Sequence, residues 1–276
     1  MAVITLSVVL VLGIGVYAVY RHTRPYLHGS GCRADTEALD LEQAAGAATI
    51  AIVAAGEKLP ERALVIAYAT ALQESHIRNL EFGDRDSVGL FQQRPSQGWG
   101  ARERLMDPVY ASRRFFTALA KVKDYRHRSV AEVAQRVQRS ADGTAYAQHV
   151  TLAETLAGAY TGRRAMSVRC WFTPGKRAKE RRAAALRELR RAFGPGAPPV
   201  QGAGQGDAVA VTAPRQGWAV AAWAVSHAQE YGLTEIRYAG RRWTSGNGYA
   251  GWTKDTKAKD TKAGDTKAGD DRVIIR

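Results

Sequence analysis

The stretch ERALVIAYATALQESHIRNLEFGDRDSVGLFQQRP, residues 61–95, decides how this chain is read. From Leu64 to Leu72 it is apolar nearly all round, the pattern of a helix buried in the middle of its domain. Pro60 stands where such a helix begins, and the helix closes on the polar run Gln73-Glu74-Ser75-His76. A carboxyl group at the end of an apolar helix is stripped of water, which disfavours its charged form and keeps the proton a general acid has to donate. Residues 78–98 then carry the Gly, Asp, Ser and Pro punctuation of a loop. Glu74 is therefore the first candidate for chemistry.

Helical signals continue on both sides. Thr36 to Glu57 is Ala-rich without proline, and Asp107-Pro108 offers a cap and first-turn proline for a helix to about Val122. Ser129-Val130-Ala131-Glu132 reads as a capping box opening a helix to about Arg139, and a further helix is expected over Tyr146 to Ala157. This all-α arrangement ends near Gly162.

Glu74-Ser75 followed by Gly89-Leu90-Phe91-Gln92 resembles the Glu-Ser and Gly-Leu-Met-Gln motifs of soluble lytic transglycosylases, and goose-type lysozymes are similar in the same core. The likeness covers roughly Glu37 to Gly162 and extends to Asp107-Pro108-Val109-Tyr110. It implies a lysozyme-like helical domain that cleaves the β-1,4 bond between N-acetylmuramic acid and N-acetylglucosamine in peptidoglycan. By this resemblance Glu74 protonates the glycosidic oxygen, while Ser75, Gly89, Leu90 and Gln92 build the sugar subsite. A lytic transglycosylase needs no second carboxylate, because the substrate's own groups complete the reaction. A hydrolase of the inverting kind places a base about 6.5 to 9.5 Å from the acid. The Gly83-Asp84-Arg85 element is similar to that of goose-type lysozymes and makes Asp84 or Asp86 the candidate base, with turn chemistry as the equal alternative.

The resemblance departs at one place. Where an Ala-Tyr-Asn-Ala-Gly element is expected, the chain has Val137-Gln138-Arg139-Ser140-Ala141. Gln138 can replace the amide, and Tyr146 or Tyr160 would have to supply the tyrosine. Trp99 stands shortly after the sugar-binding loop, to stack on a pyranose or to pack beneath that loop. Glu74 has a bland alternative too, a surface pair with Arg78 one turn on.

The rest of the chain sets the context. A formal net charge of +14 and pI near 10.0 suit polyanionic partners. Residues 1–21 read as a membrane span, since about 19 uncharged residues at about 1.5 Å each cross a bilayer core. The expected localisation is a single-pass membrane protein with an extracytoplasmic catalytic domain, although Arg21 and Arg24 after the span point the other way by the positive-inside rule. Residues 22–35 read as a connector and 36–172 as the catalytic domain. Residues 173–193 read as a basic helix (Lys176 to Arg191), 194–217 as a Gly/Pro-rich linker, 218–253 as a small aromatic-rich α+β module and 254–276 as a disordered repeat tail. Cys32 and Cys170 either form one bridge around the catalytic region or remain free thiols.

The fold class expected is thus mainly α, a lysozyme-like domain with an N-terminal transmembrane helix and a small C-terminal α+β module. No metal-spaced His/Cys cluster, nucleophile elbow or Walker loop occurs, so neither a metal nor another cofactor is expected. Peptidoglycan is the expected partner, with the membrane and an anionic wall polymer beside it and nucleic acid disfavoured. Two other functions stand against the enzyme: a non-catalytic wall-binding protein, and a polyanion binder using the basic helix.

Overall fold

The computed structural model describes residues 13, 29–140, 143–173, 175, 178–203, 206–256 and 271–276. Strands β1 (Gly31–Ala34) and β2 (Glu37–Leu39) form a tight hairpin that leads into α1 (Leu41–Gly56). Asp40 starts that helix: its carboxylate accepts from the Gln43 N–H at 2.8 Å, and the Gln43 side-chain oxygen accepts from the Asp40 N–H at 3.0 Å. Each group satisfies an N–H that the first turn leaves open.

Helix α2 (Glu61–Ser75) follows, then the short α3 (Arg102–Leu105), α4 (Pro108–Leu119), α5 (Val130–Gln138) and, after a 3₁₀ turn over Thr144–His149, α6 (Val150–Tyr160). Asp107 caps α4, accepting from the Val109 N–H at 3.0 Å, and Ser129 caps α5, accepting from the Glu132 N–H at 3.2 Å, but the expected capping box is only half formed, since the Glu132 carboxylate accepts from Arg128 and Arg136 instead. Helix α2 is buried from Ala63 to Leu72, between α5, α6 and α1. The Tyr68 hydroxyl, wholly buried, donates to the Ala47 carbonyl at 2.8 Å and locks α2 against α1. Each fully buried Leu or Ile here contributes roughly 1.5–3 kcal/mol, which is why an all-round apolar sequence settles in the centre.

The chain continues through β3 (Val168–Trp171), α7 (Arg182–Phe193), β4 (Val200–Ala203), β5 (Gly206–Ala210), α8 (Pro214–Ser226), α9 (Ala228–Tyr231), β6 (Glu235–Tyr238), β7 (Arg241–Thr244), β8 (Thr253–Lys254) and β9 (Arg272–Ile275). Two antiparallel sheets result, one ordered β2-β1-β3 and one ordered β4-β5-β9-β6-β7-β8. In the first, Cys32 lies opposite Cys170 and the two form a disulfide, with Cα atoms 4.0 Å apart. The β6–β7 hairpin turns on Ala239 and Gly240, both at positive φ, a pairing that matches the strand twist. Helix α8 packs on β6, β9 and β3, and also on α1, as does α7. One continuous apolar core therefore joins the helical part to the second sheet.

Two expectations are corrected. The fold is not mainly α with a small appended module: its described residues include nine strands in two sheets. Residues 194–217, read as a linker, contain β4, β5 and the start of α8, and the tail read as disordered ends in β9, an inner strand of the larger sheet. Strands of two to five residues offer too few alternating positions to show as a period, and their hydrogen-bond partners are distant in sequence.

The second correction concerns the membrane. Among the described residues no helix is long and apolar enough to cross one, which overturns the expected single-pass localisation. The longest described helix, α1, has 16 residues and spans about 24 Å, short of a bilayer core of about 30 Å. The expected span, residues 1–21, lies outside the described residues except for Gly13.

Candidate active site

Helix α2 delivers Glu74 at its penultimate position, half-buried, just as the chain leaves the core. The exit is abrupt. His76 and Ile77 both take left-handed backbone angles, φ 53° and 60°, which for the β-branched and fully buried Ile77 is a genuine strain. Neighbouring groups hold it. The Gln43 side chain donates to the His76 carbonyl at 3.0 Å, and the Asn79 N–H donates to Glu42 at 2.8 Å. Arg78 pairs with Asp40 and with Glu42. Arg78 is therefore engaged by the first turn of α1, and the bland pairing of Glu74 with Arg78 is not what forms.

The partner of Glu74 is Tyr146. Its hydroxyl donates to Glu74 Oε1 at 2.7 Å from the 3₁₀ turn before α6, and its ring is 1% exposed. Burial raises the phenol's pKa well above its ordinary value, and the Glu74 carboxylate adds to the rise. Tyr146 consequently stays a neutral donor at every pH the protein meets. Tyr160 is buried elsewhere, its hydroxyl 3.4 Å from Ser226 Oγ. Of the two tyrosines named from the sequence, only Tyr146 meets the acid.

Ser75, one residue on, is buried and places its hydroxyl 2.6 Å from the Leu90 carbonyl. That contact fastens α2 to the loop carrying Gly89 to Gln92. The loop turns back on itself between Val88 and Gln93, which exchange both backbone hydrogen bonds at 3.1 Å. Gly89 sits at φ 79° with its N–H on the Leu80 carbonyl at 2.7 Å, and a side chain there would collide with the Leu105 carbonyl. Only glycine fits. Leu90 is buried, whereas Gln92, at φ 46°, stays half-buried, its amide 3.3 Å from the Gly89 carbonyl. Gln138 reaches the same turn from the end of α5, donating to the Phe91 carbonyl at 2.7 Å.

The structure thus brings Glu74, Ser75, Gly89, Leu90, Gln138 and Tyr146 into one connected network and leaves the Gln92 amide at its edge. The aspartates behave differently. Asp86 is held by Arg94 Nε at 2.8 Å, the Ser96 N–H at 2.7 Å and the Ser96 hydroxyl at 2.9 Å. Those donors, led by Arg94, hold its carboxyl well below the usual carboxylate range, so Asp86 serves as a permanently ionised staple of the loop. Asp84 is exposed, with the adjacent Arg85 3.9 Å away. Trp99 is buried at the far side of the loop, where its carbonyl accepts from Arg114 Nε at 2.8 Å.

Sequence reading missed one feature beside the acid. Gln73 Oε1 accepts from Gln148 at 3.3 Å and lies 3.0 Å from His149 Nε2. Burial, aided by the nearby His76, lowers the His149 pKa. The polar end of α2 was the available signal, but the partners come from 75 residues away. The basic helix also differs in role: α7 buries Ala185, Leu186, Leu189, Ala192 and Phe193, while Arg182 pairs with Asp207 and Glu180, and Arg191 with Glu188 and Asp107. Among the described residues no group of three or more metal-ligating side chains occurs.

No family model matches the chain, and no curated protein matches it.

Proposed function

We propose that this protein cleaves the glycan strands of peptidoglycan at the N-acetylmuramic acid to N-acetylglucosamine bond, with Glu74 as the general acid. The observation that carries the reading is the hydrogen bond from buried Tyr146 to Glu74 Oε1. One carboxyl oxygen is oriented by a phenol that burial keeps neutral, which leaves Oε2 as the atom to face a glycosidic oxygen. The likeness to soluble lytic transglycosylases and goose-type lysozymes supplies the substrate class, and the Ser75–Leu90 and Gln138–Phe91 bonds give the sugar-binding turn a fixed place beside the acid.

With Asp86 engaged on Arg94 and Ser96, Asp84 is the carboxylate left to activate water, and the substrate's own 6-hydroxyl is the other nucleophile. The end groups of the product separate these routes. Purified peptidoglycan incubated with the protein should release soluble muropeptides, and Glu74→Gln should abolish their release. Anhydro-muramyl ends identify the transglycosylase route, reducing ends the hydrolytic one. Intact glycan strands after prolonged incubation, or release undiminished in Glu74→Gln, would overturn the proposal.

A further inference from the structure

On the far side of the turn gripped by Gln138, a cavity of about 300 Å³ opens between α4, α5 and the Gln97–Trp99 segment. Four cationic side chains line it, Arg114 from α4, Lys121 two residues past the end of α4, Arg136 from the last turn of α5 and Arg139 just after it, around Trp99 and Val137. Among the described residues no carboxylate lines it. Among the described residues Arg114, Lys121 and Arg139 have no ion-pair partner, and Arg136 shares Glu132 with Arg128. Arg114 is held in place by the Trp99 carbonyl at 2.8 Å and the Gly98 carbonyl at 3.0 Å.

Four like charges converging on one concavity repel each other, and Glu132, which Arg136 shares with Arg128, offsets at most one of them. Such an arrangement is stabilised by a multiply charged oxyanion. Guanidinium groups match phosphate in geometry as well as charge, and the cavity exceeds the volume of one phosphate group, leaving room for what it esterifies. We infer that this pocket binds a phosphate group, free or as the repeating phosphodiester of an anionic polymer. The site is distinct from the proposed cleavage chemistry, because its lining does not include Glu74 or its hydrogen-bond partner Tyr146.

Calorimetric titration of the full chain with inorganic phosphate, glycerol 3-phosphate and acetate tests it. Both phosphates should bind, acetate about tenfold more weakly or not at all, and the double variant Lys121→Gln/Arg139→Gln should lose up to about 25-fold in phosphate affinity, since exposed charge pairs each contribute up to about a factor of five. Both residues are exposed, so thermal midpoints should be unchanged. Arg241→Gln, an exposed arginine on β7, should bind as the parent does. Glu74→Gln should do so too, so that a catalytically inert protein leaves this test intact. A poly(glycerol phosphate) chain that binds more tightly than its monomer identifies the polymer as the source of the phosphate; equal affinity identifies a free phosphate ester. Acetate binding as tightly as phosphate, or a double variant indistinguishable from the parent, would refute the pocket.

Discussion

Replacing Tyr146 by phenylalanine removes one oxygen and leaves the buried ring. That oxygen donates to Glu74 Oε1 at 2.7 Å, and hydrogen bonds to charged groups contribute about 1.5–3 kcal/mol. If this bond holds the acid in its working position, its loss appears in the barrier, and about 1.5–3 kcal/mol corresponds to a fall in kcat of roughly 10- to 150-fold. KM should change by less than about twofold, because the hydroxyl faces the acid. The assay is the initial rate of muropeptide release from purified peptidoglycan at several substrate loads, with thermal unfolding measured in parallel. Tyr160→Phe is the matched control: the same atom is lost from an equally buried ring whose hydroxyl contacts Ser226 instead. It should cost stability and leave the rate alone. A Tyr146→Phe protein that turns over within about twofold of the parent, while Glu74→Gln is dead, would refute the positioning role. Equal losses in both Tyr variants would reduce Tyr146 to packing.

Three other outcomes follow from the geometry. Gly89→Ala forces a side chain to φ 79° against the Leu105 carbonyl and should cost more than about 1 kcal/mol of stability, with muropeptide release falling further than the lower melting point explains. Cys32→Ser/Cys170→Ser opens a bridge between residues 138 apart in sequence; chain entropy predicts a loss of up to about 5 kcal/mol, and a denaturant midpoint unchanged from the oxidised parent would contradict it. His227 is buried between Thr49 and Trp223, and burial lowers its pKa. The unfolded chain takes up that proton near 6.5, so this contribution to stability is complete above about pH 6.5 and declines as the pH falls below it. The urea midpoint should drop between pH 7.5 and 5, and drop less in His227→Gln; identical pH slopes would exclude the residue.

The helical half was legible because its signals are local. Residues 61–75 advertise a buried helix by composition, Asp107-Pro108 and Ser129 are caps whose bonds lie within four residues, and Glu74 stands out as a charge at the end of an apolar run. The sheets were not legible for the opposite reason. Each strand is short, and half of what stabilises it belongs to another segment: Cys32 needs Cys170, and Ile275 needs Asp207 and Ile236. A tail of Asp-Thr-Lys repeats gives no hint that its last residues are an inner strand. Likewise the arginines of α7 read as a free basic face, since the acids that pair with Arg182 and Arg191 include Asp207 and Asp107 from other elements.

Residue identity by itself marked Glu74 as the candidate acid, Gly89 to Gln92 as a candidate sugar-binding loop, and Tyr146 and Tyr160 as tyrosines available to serve. Tertiary structure decided among them. Only the fold could seat Tyr146 rather than Tyr160 on Glu74, turn Asp86 into a staple for Arg94 and Ser96, and gather Arg114, Lys121, Arg136 and Arg139 around one cavity. The physical reason is distance along the chain. A cap or an apolar face is set by neighbours within a turn or two, whereas hydrogen-bond partners and electrostatic fields depend on separation in space, which the sequence does not carry.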